Sequence, residues 1–270
     1  MINNFSSIPQ YTIEFLQDLT HIKNMQIFNQ GESVFKFIGD LDGKKVMLRY
    51  LNSSMLINDR INREIDALNF ANQNKEVFNK YGFTIPKVIN TWKKENLIAL
   101  EYIEGSPGIK LSNQQLTNYI ELMTSLKFEE KYTFQDGVLK SLSQIDLIQP
   151  EYHSRYISVR DEILNNFDFS SIEPSFIHGD FHIDNLILTN SGRIGIIDWE
   201  YASQGSIYFD LAYYKEKTHH VFDDKIEQKL QPWVILIDLI LTHWSLYWYS
   251  HEPVENEKWL TKVEGFVNQY

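Results

Sequence analysis

His178-Gly179-Asp180-Phe181-His182-Ile183-Asp184-Asn185, followed by Ile196-Ile197-Asp198-Trp199-Glu200, is the stretch that decides the reading of this chain. Phe176-Ile177 is apolar and runs into His178-Gly179. Leu186-Ile187-Leu188 is apolar and ends at Thr189-Asn190-Ser191-Gly192, and Ile194 to Ile197 is apolar again. Two short apolar runs with Asn, Ser and Gly between them predict a β-hairpin with its turn at Asn190-Ser191-Gly192. A hairpin brings its two ends together. Asn185, just before the first strand, and Asp198, at the close of the second, are therefore expected to be neighbours.

An Asp followed five residues later by an Asn is the spacing of a kinase catalytic loop, and Asp198 stands thirteen residues beyond Asn185, where a second metal ligand belongs. In such a loop the Asp accepts the proton of the attacking hydroxyl. The Asn and the second Asp hold magnesium, an ion that takes few protein carboxylates and fills its shell with water and phosphate oxygens. Phosphoryl transfer needs positioning and positive charge over the phosphates more than covalent help.

His178-Gly179-Asp180 with Asn185, Ile197-Asp198-Trp199-Glu200 and Tyr208-Phe209-Asp210-Leu211-Ala212 together resemble the aminoglycoside phosphotransferase and choline kinase family. The likeness extends from about Ile27 to Tyr214 and is most specific between Phe176 and Ala212. It implies an α+β, bilobal protein-kinase-like fold. A small N-terminal antiparallel sheet lobe with one helix would cover 1–103, and a larger, mostly helical catalytic and substrate lobe would cover 104–270. It also implies transfer of the γ-phosphate of ATP or GTP, with Mg2+, to a hydroxyl of a small molecule. Asp180 would be the base, and Asn185 and Asp198 the metal ligands. His178 and Asp210 would brace the loop, and Glu200 and His182 would reach the acceptor.

The first hundred residues are consistent with that implication. Alternation in Val34-Phe35-Lys36-Phe37, a turn at Gly39 to Gly43 and the run Lys45 to Leu51 predict strands. Gly31 and Ser33 lie in the turn between the first two strands, where backbone amides could approach phosphate. Arg49 takes the place of the phosphate-gripping lysine of the third strand. Ile61, Ile65, Leu68 and Ala71 recur at helical spacing and put Glu64 on the helix that would pair with Arg49. Leu97 to Ile103 predicts a further strand before Glu104-Gly105-Ser106-Pro107-Gly108. The backbone of Glu101, Tyr102 and Ile103 would there meet the adenine edge.

Composition agrees with an enzyme of this kind. The 270 residues are 43% apolar and 23% charged, enough for an ordinary buried core. The net charge of −11 argues against nucleic-acid binding and suits a cationic acceptor. There is no cysteine, and the start Met1-Ile2-Asn3-Asn4-Phe5 has no secretory pattern, so a cytoplasmic setting without disulfides is expected. No apolar run is long enough to cross a membrane. Trp233, Trp244, Tyr247, Trp248, Tyr249 and Trp259 enrich the tail in aromatic residues. They would either pack the core or box a quaternary ammonium. An atypical protein kinase and a non-catalytic relative that keeps the fold are the rival readings. The eleven residues between Asp198 and Asp210 leave little room for an activation loop.

Overall fold

The computed structural model describes residues 10–30, 34–51, 60–128, 132–143, 150–251 and 256–270. Along the chain these form α1 (Gln10–Thr20), β1 (Lys23–Gln30), β2 (Val34–Leu41), β3 (Lys44–Leu51), α2 (Arg60–Gln73), α3 (Lys75–Lys80), β4 (Phe83–Thr84), β5 (Val88–Trp92), β6 (Leu97–Glu101) and β7 (Gly105–Pro107). There follow α4 (Asn113–Ser125), α5 (Phe134–Leu142), α6 (Pro150–Asn166), β8 (Ser175–Ile177), β9 (Leu186–Thr189), β10 (Ile194–Ile196), β11 (Ser203–Gly205), α7 (Ile207–Thr218), α8 (Asp224–His251) and α9 (Asn256–Gln269).

The chain forms two compact units. The first comprises Met1–Pro107 and Leu186–Glu200, and the second comprises Gly108–Asn185 and Tyr201–Tyr270. The β9–β10 hairpin belongs to the first unit because it pairs with that unit's strands. β9 runs antiparallel to β7 and to β10, and β10 runs parallel to β4.

The first unit is built on a five-stranded sheet in the order β1-β2-β3-β6-β5, antiparallel throughout. Asp42 and Gly43, both at positive φ, make the two-residue turn between β2 and β3, with Leu41 opposite Lys44. That is the turn whose twist matches its strands. Period-two alternation gives the sheet two different faces. Phe37, Val46, Leu48, Leu97 and Ala99 line one face and are buried with Leu16, Ile22 and Met25. Leu16 comes from α1, a helix beyond the one expected in this part of the chain; α3 is another. Helix α2 buries Ile61, Ile65, Leu68 and Ala71, the spacing the sequence shows, and Glu64 shares that buried face.

The second unit is mostly helical, around the two-stranded pair β8 and β11. Ser112 and Gln115 form a reciprocal capping box at the start of α4. Thr133 and Ser206 cap α5 and α7. Trp233 is buried against Phe134, Phe167 and Phe209. It also lines a cavity of about 590 Å³ with Phe167 and Tyr208, into which none of residues 178–185 projects. Of the aromatic tail, the side chains of Tyr247, Trp248, Tyr249 and Trp259 lie outside the described residues. No helix among the described residues is long and apolar enough to cross a membrane.

Candidate active site

The loop from His178 to Asn185 is held from behind by one carboxylate. Asp210, on α7 and fully buried, accepts the backbone N–H of His178 through Oδ2 and that of Gly179 through Oδ1, both at 2.8 Å. Its Oδ2 also accepts the Tyr119 hydroxyl of α4 at 2.6 Å. Burial pushes the Asp210 carboxyl upward, and the His178 side chain and these three donors oppose that shift. Phe181 stacks on the Tyr119 ring with centroids 3.8 Å apart and is wholly buried. Gly179 has φ of +81° and passes so close to Tyr201 that a Cβ would stand 2.3 Å from its carbonyl oxygen. His178 is buried, and its Nδ1 accepts the Asp180 N–H at 3.2 Å.

On the open side of the loop, Asn185 clasps Asp180. Its amide nitrogen donates to the Asp180 backbone carbonyl at 2.9 Å and to the Asp180 carboxylate at 3.0 Å. The same nitrogen lies 3.2 Å from His182 Nε2, so its N–H groups face protein partners and the amide oxygen is the remaining ligand atom. His182 Nε2 lies 3.4 Å from Asp180 Oδ2, and the His182 ring stacks on Tyr213. Burial, and next the charge of nearby Asp180, drives the Tyr213 hydroxyl pKa well upward. The spacing of the loop did not reveal Tyr213. A tyrosine three residues after Asp210 is the only trace it leaves in the sequence.

In the first unit a buried charge cluster forms on the sheet face opposite the apolar one. Arg49, 2% exposed, meets Glu64 of α2, as the sequence suggests. Its Nη1 is also 3.2 Å from Asp198 Oδ1, and its Nη2 is 3.4 Å from Glu200 Oε2. Arg60 approaches Glu200 at 3.8 Å. Burial pulls the Arg49 guanidinium down, but Asp198, Glu64 and Glu200 together raise it, so it is a permanent cation. Burial pushes the Glu64 carboxyl up to about 7, against the downward pull of Arg49. Lys36 completes the cluster, with its Nζ 2.5 Å from Asp198 Oδ2. The reading of the sequence had not singled out Lys36.

The hairpin forms with Leu186 opposite Ile196, so Asn185 directly precedes its first strand and Asp198 follows its second. Asp198 has φ of +65°, a left-handed conformation that aspartate tolerates. Trp199 anchors the turn: its Nε1 donates to the Ile196 carbonyl at 2.9 Å, and its buried ring lies edge-on to Phe78. Among the expected adenine contacts, the Glu101 N–H donates to the Lys87 carbonyl at 2.8 Å and the Tyr102 N–H to the Lys45 carbonyl at 3.4 Å. Among the described residues the Ile103 N–H meets no acceptor. The Tyr102 ring is flanked by Phe28 and by the Lys45 ammonium, 4.3 Å from its centroid. Gly31 and Ser33 lie outside the described residues.

An antiparallel sheet with a buried Arg–Glu pair, and a helical unit carrying a braced His-Gly-Asp loop, define the protein-kinase-like class of fold. Solved structures share it. Choline kinase LicA from Streptococcus pneumoniae superposes with a TM-score of 0.64 at 17% identity, over 96% of this chain and 98% of that one. A thermostable mutant of aminoglycoside phosphotransferase APH(4)-Ia superposes with a TM-score of 0.62 at 15% identity, over 95% and 98%. In sequence, residues 59–227 match the APH model of the phosphotransferase enzyme family, and the chain belongs to that family. A LicA homologue of Mycoplasma capricolum subsp. capricolum is 31% identical over 157 residues, 54% of this chain. The match spans 60% of that relative's length.

Proposed function

We propose that this protein is a kinase of small alcohols, moving the γ-phosphate of ATP or GTP to an acceptor hydroxyl. The observation that carries the reading is the clasp of Asn185 on Asp180: it aims one carboxylate and leaves one amide oxygen as a ligand. Asp180 accepts the proton of the attacking hydroxyl, and Tyr213 and Asn185 fix its orientation. Arg49, held by Glu64, carries the positive charge that the phosphates need. Glu200 is tied to Arg49 and Arg60 here, so its first task in this proposal is to steady Arg49. Contact with the acceptor, the role expected from the sequence, would be secondary to that. His182, beside Asp180, is placed to touch the acceptor. The Ile103 N–H, which meets no acceptor among the described residues, is placed to donate to a purine edge.

The donor set fits magnesium: one amide oxygen and one carboxylate, all hard oxygen, with phosphate and water to complete the shell. Asn185 and Asp198 would hold the ion, which when bound neutralises charge on the transferring phosphoryl group. No group of three His, Cys, Asp or Glu side chains suited to a metal occurs among the described residues, and this arrangement requires none. The cytoplasmic setting belongs to the same proposal, since it is where nucleoside triphosphates are made and used.

The sequence relative is a LicA homologue, so choline is the first acceptor to try, followed by aminoglycosides and sugars. The test measures transfer from labelled ATP or GTP to each alcohol with magnesium present. Phosphorylation of one of them supports the reading. Nucleotide binding without transfer to any alcohol overturns it in favour of a non-catalytic relative, and transfer to protein side chains alone overturns it in favour of a protein kinase.

A further inference from the structure

We infer that Lys36 is a second phosphate-binding cation, and that before nucleotide and metal arrive it serves as the counter-ion of Asp198. The inference rests on the kinase reading above. Strand alternation turns Lys36 away from Phe35 and Phe37, and Phe37 is buried in the apolar face. Lys36 therefore shares a face with Arg49, which stands directly opposite it across β2 and β3.

Two cations opposite each other on a sheet are unfavourable unless anions lie over them. Three do: Glu64, Asp198 and Glu200. Lys36, Arg49 and Arg60 face these carboxylates in direct ion pairs. Asp198 has cationic partners without a metal, in Lys36 and Arg49. A divalent ion on Asp198 Oδ2 would compete with the Lys36 ammonium, 2.5 Å away, and adds two positive charges beside it. A polyphosphate offsets that charge, and the displaced ammonium then has an anion to meet.

Mobility separates the two cations. Arg49 is 2% exposed and bound by three carboxylates. Lys36 and Asp198 keep 19% and 17% of their side chains exposed, and Lys36 is a point charge on a flexible stem. Arg49 is the fixed grip, and Lys36 is the one that can move. Metal and nucleotide should accordingly favour each other's binding through this one side chain, and such coupling is reciprocal.

The experiment compares the full chain with Lys36→Met and Lys36→Arg. Calorimetry would give the affinity for Mn2+ alone and for a non-hydrolysable ATP analogue with and without metal, and circular dichroism would check folding. Lys36→Met should bind Mn2+ alone about tenfold more tightly and the analogue without metal about tenfold more weakly. Lys36→Arg should restore most of the analogue affinity. Unchanged affinities in Lys36→Met, or a loss for the analogue with no gain for Mn2+, would overturn the inference. Should Lys36→Met fail to fold, Lys36→Arg decides: analogue affinity within twofold of the parent supports the inference, and a loss as large as that of Arg49→Ala refutes it. A parent protein that binds neither nucleotide nor metal would instead sink the kinase reading itself.

Discussion

Asp210 and Gly179 lie thirty-one residues apart in sequence and are joined by a 2.8 Å hydrogen bond from the glycine N–H to the carboxylate Oδ1. The bond fixes a backbone at φ of +81° one residue before the candidate base. The direction of the Asp180 side chain is thus set from α7.

Asp210→Asn should loosen the loop. The carboxylate accepts two backbone N–H groups and one hydroxyl, and an amide would turn its own NH2 toward at least one donor. A buried donor left unpaired costs about 1–3 kcal/mol. The urea midpoint should fall accordingly, and turnover should fall more than nucleotide affinity. A variant with unchanged midpoint and turnover would show that the loop holds itself.

Gly179→Ala meets two penalties: a strained left-handed backbone and a Cβ 2.3 Å from the Tyr201 carbonyl oxygen. Strain of this kind costs about 1–3 kcal/mol, to which the clash adds. Thermal unfolding should report a lower midpoint than that of Gly192→Ala, which carries the left-handed strain alone, because Gly192 has φ of +79° and nothing lies within 4 Å of a Cβ there.

Arg49→Ala and Glu64→Ala should each be strongly destabilising, by about 3–5 kcal/mol, because each strands a buried charge. The double variant should cost less than the sum, since the contact is shared. Denaturant unfolding of all four proteins closes the cycle. Additive losses would mean that the pair is not coupled.

Asp180→Asn should leave nucleotide affinity near that of the parent and depress kcat by about 10²–10⁴-fold. Its proposed role belongs to the transition state, where the acceptor proton must go. Wild-type turnover in the variant would remove Asp180 as the base.

His243 gives the fold a pH dependence. Burial, and next the charge of Arg160, lower its pKa from an ordinary 6.5 to about 4, while its Nδ1 meets the Tyr156 hydroxyl at 2.8 Å. The folded protein therefore binds fewer protons here than the unfolded chain. The resulting stability is present above pH 6.5 and is lost as pH falls towards 4. The full effect is about 3 kcal/mol. Unfolding free energy measured between pH 7 and 4 should fall less steeply in His243→Gln than in the parent.

Local rules made much of this protein legible. Alternation and turn residues located β2, β3 and the β9–β10 hairpin, and helical spacing located α2 with Glu64 on its buried face. The spacing from Asp180 through Asn185 to Asp198 is the sequence basis of the proposed chemistry. Each of these signals is carried by residues close in sequence, where geometry follows directly from periodicity. Helix α1 was not foreseen, since Leu16, the deeply buried apolar residue among its described side chains, acquires meaning only against the sheet.

What the tertiary structure alone decided are the pairings between distant segments. Lys36 reads as an ordinary exposed lysine of a strand until Asp198 arrives 162 residues later to meet it. Glu200 reads as an acceptor contact until Arg49 and Arg60 take its carboxylate. Tyr213 is one tyrosine among fifteen until α7 carries it to Asp180. Sequence patterns specify which face of an element a side chain occupies. Which charges share that face depends on strand register and on how segments far apart along the chain are brought together.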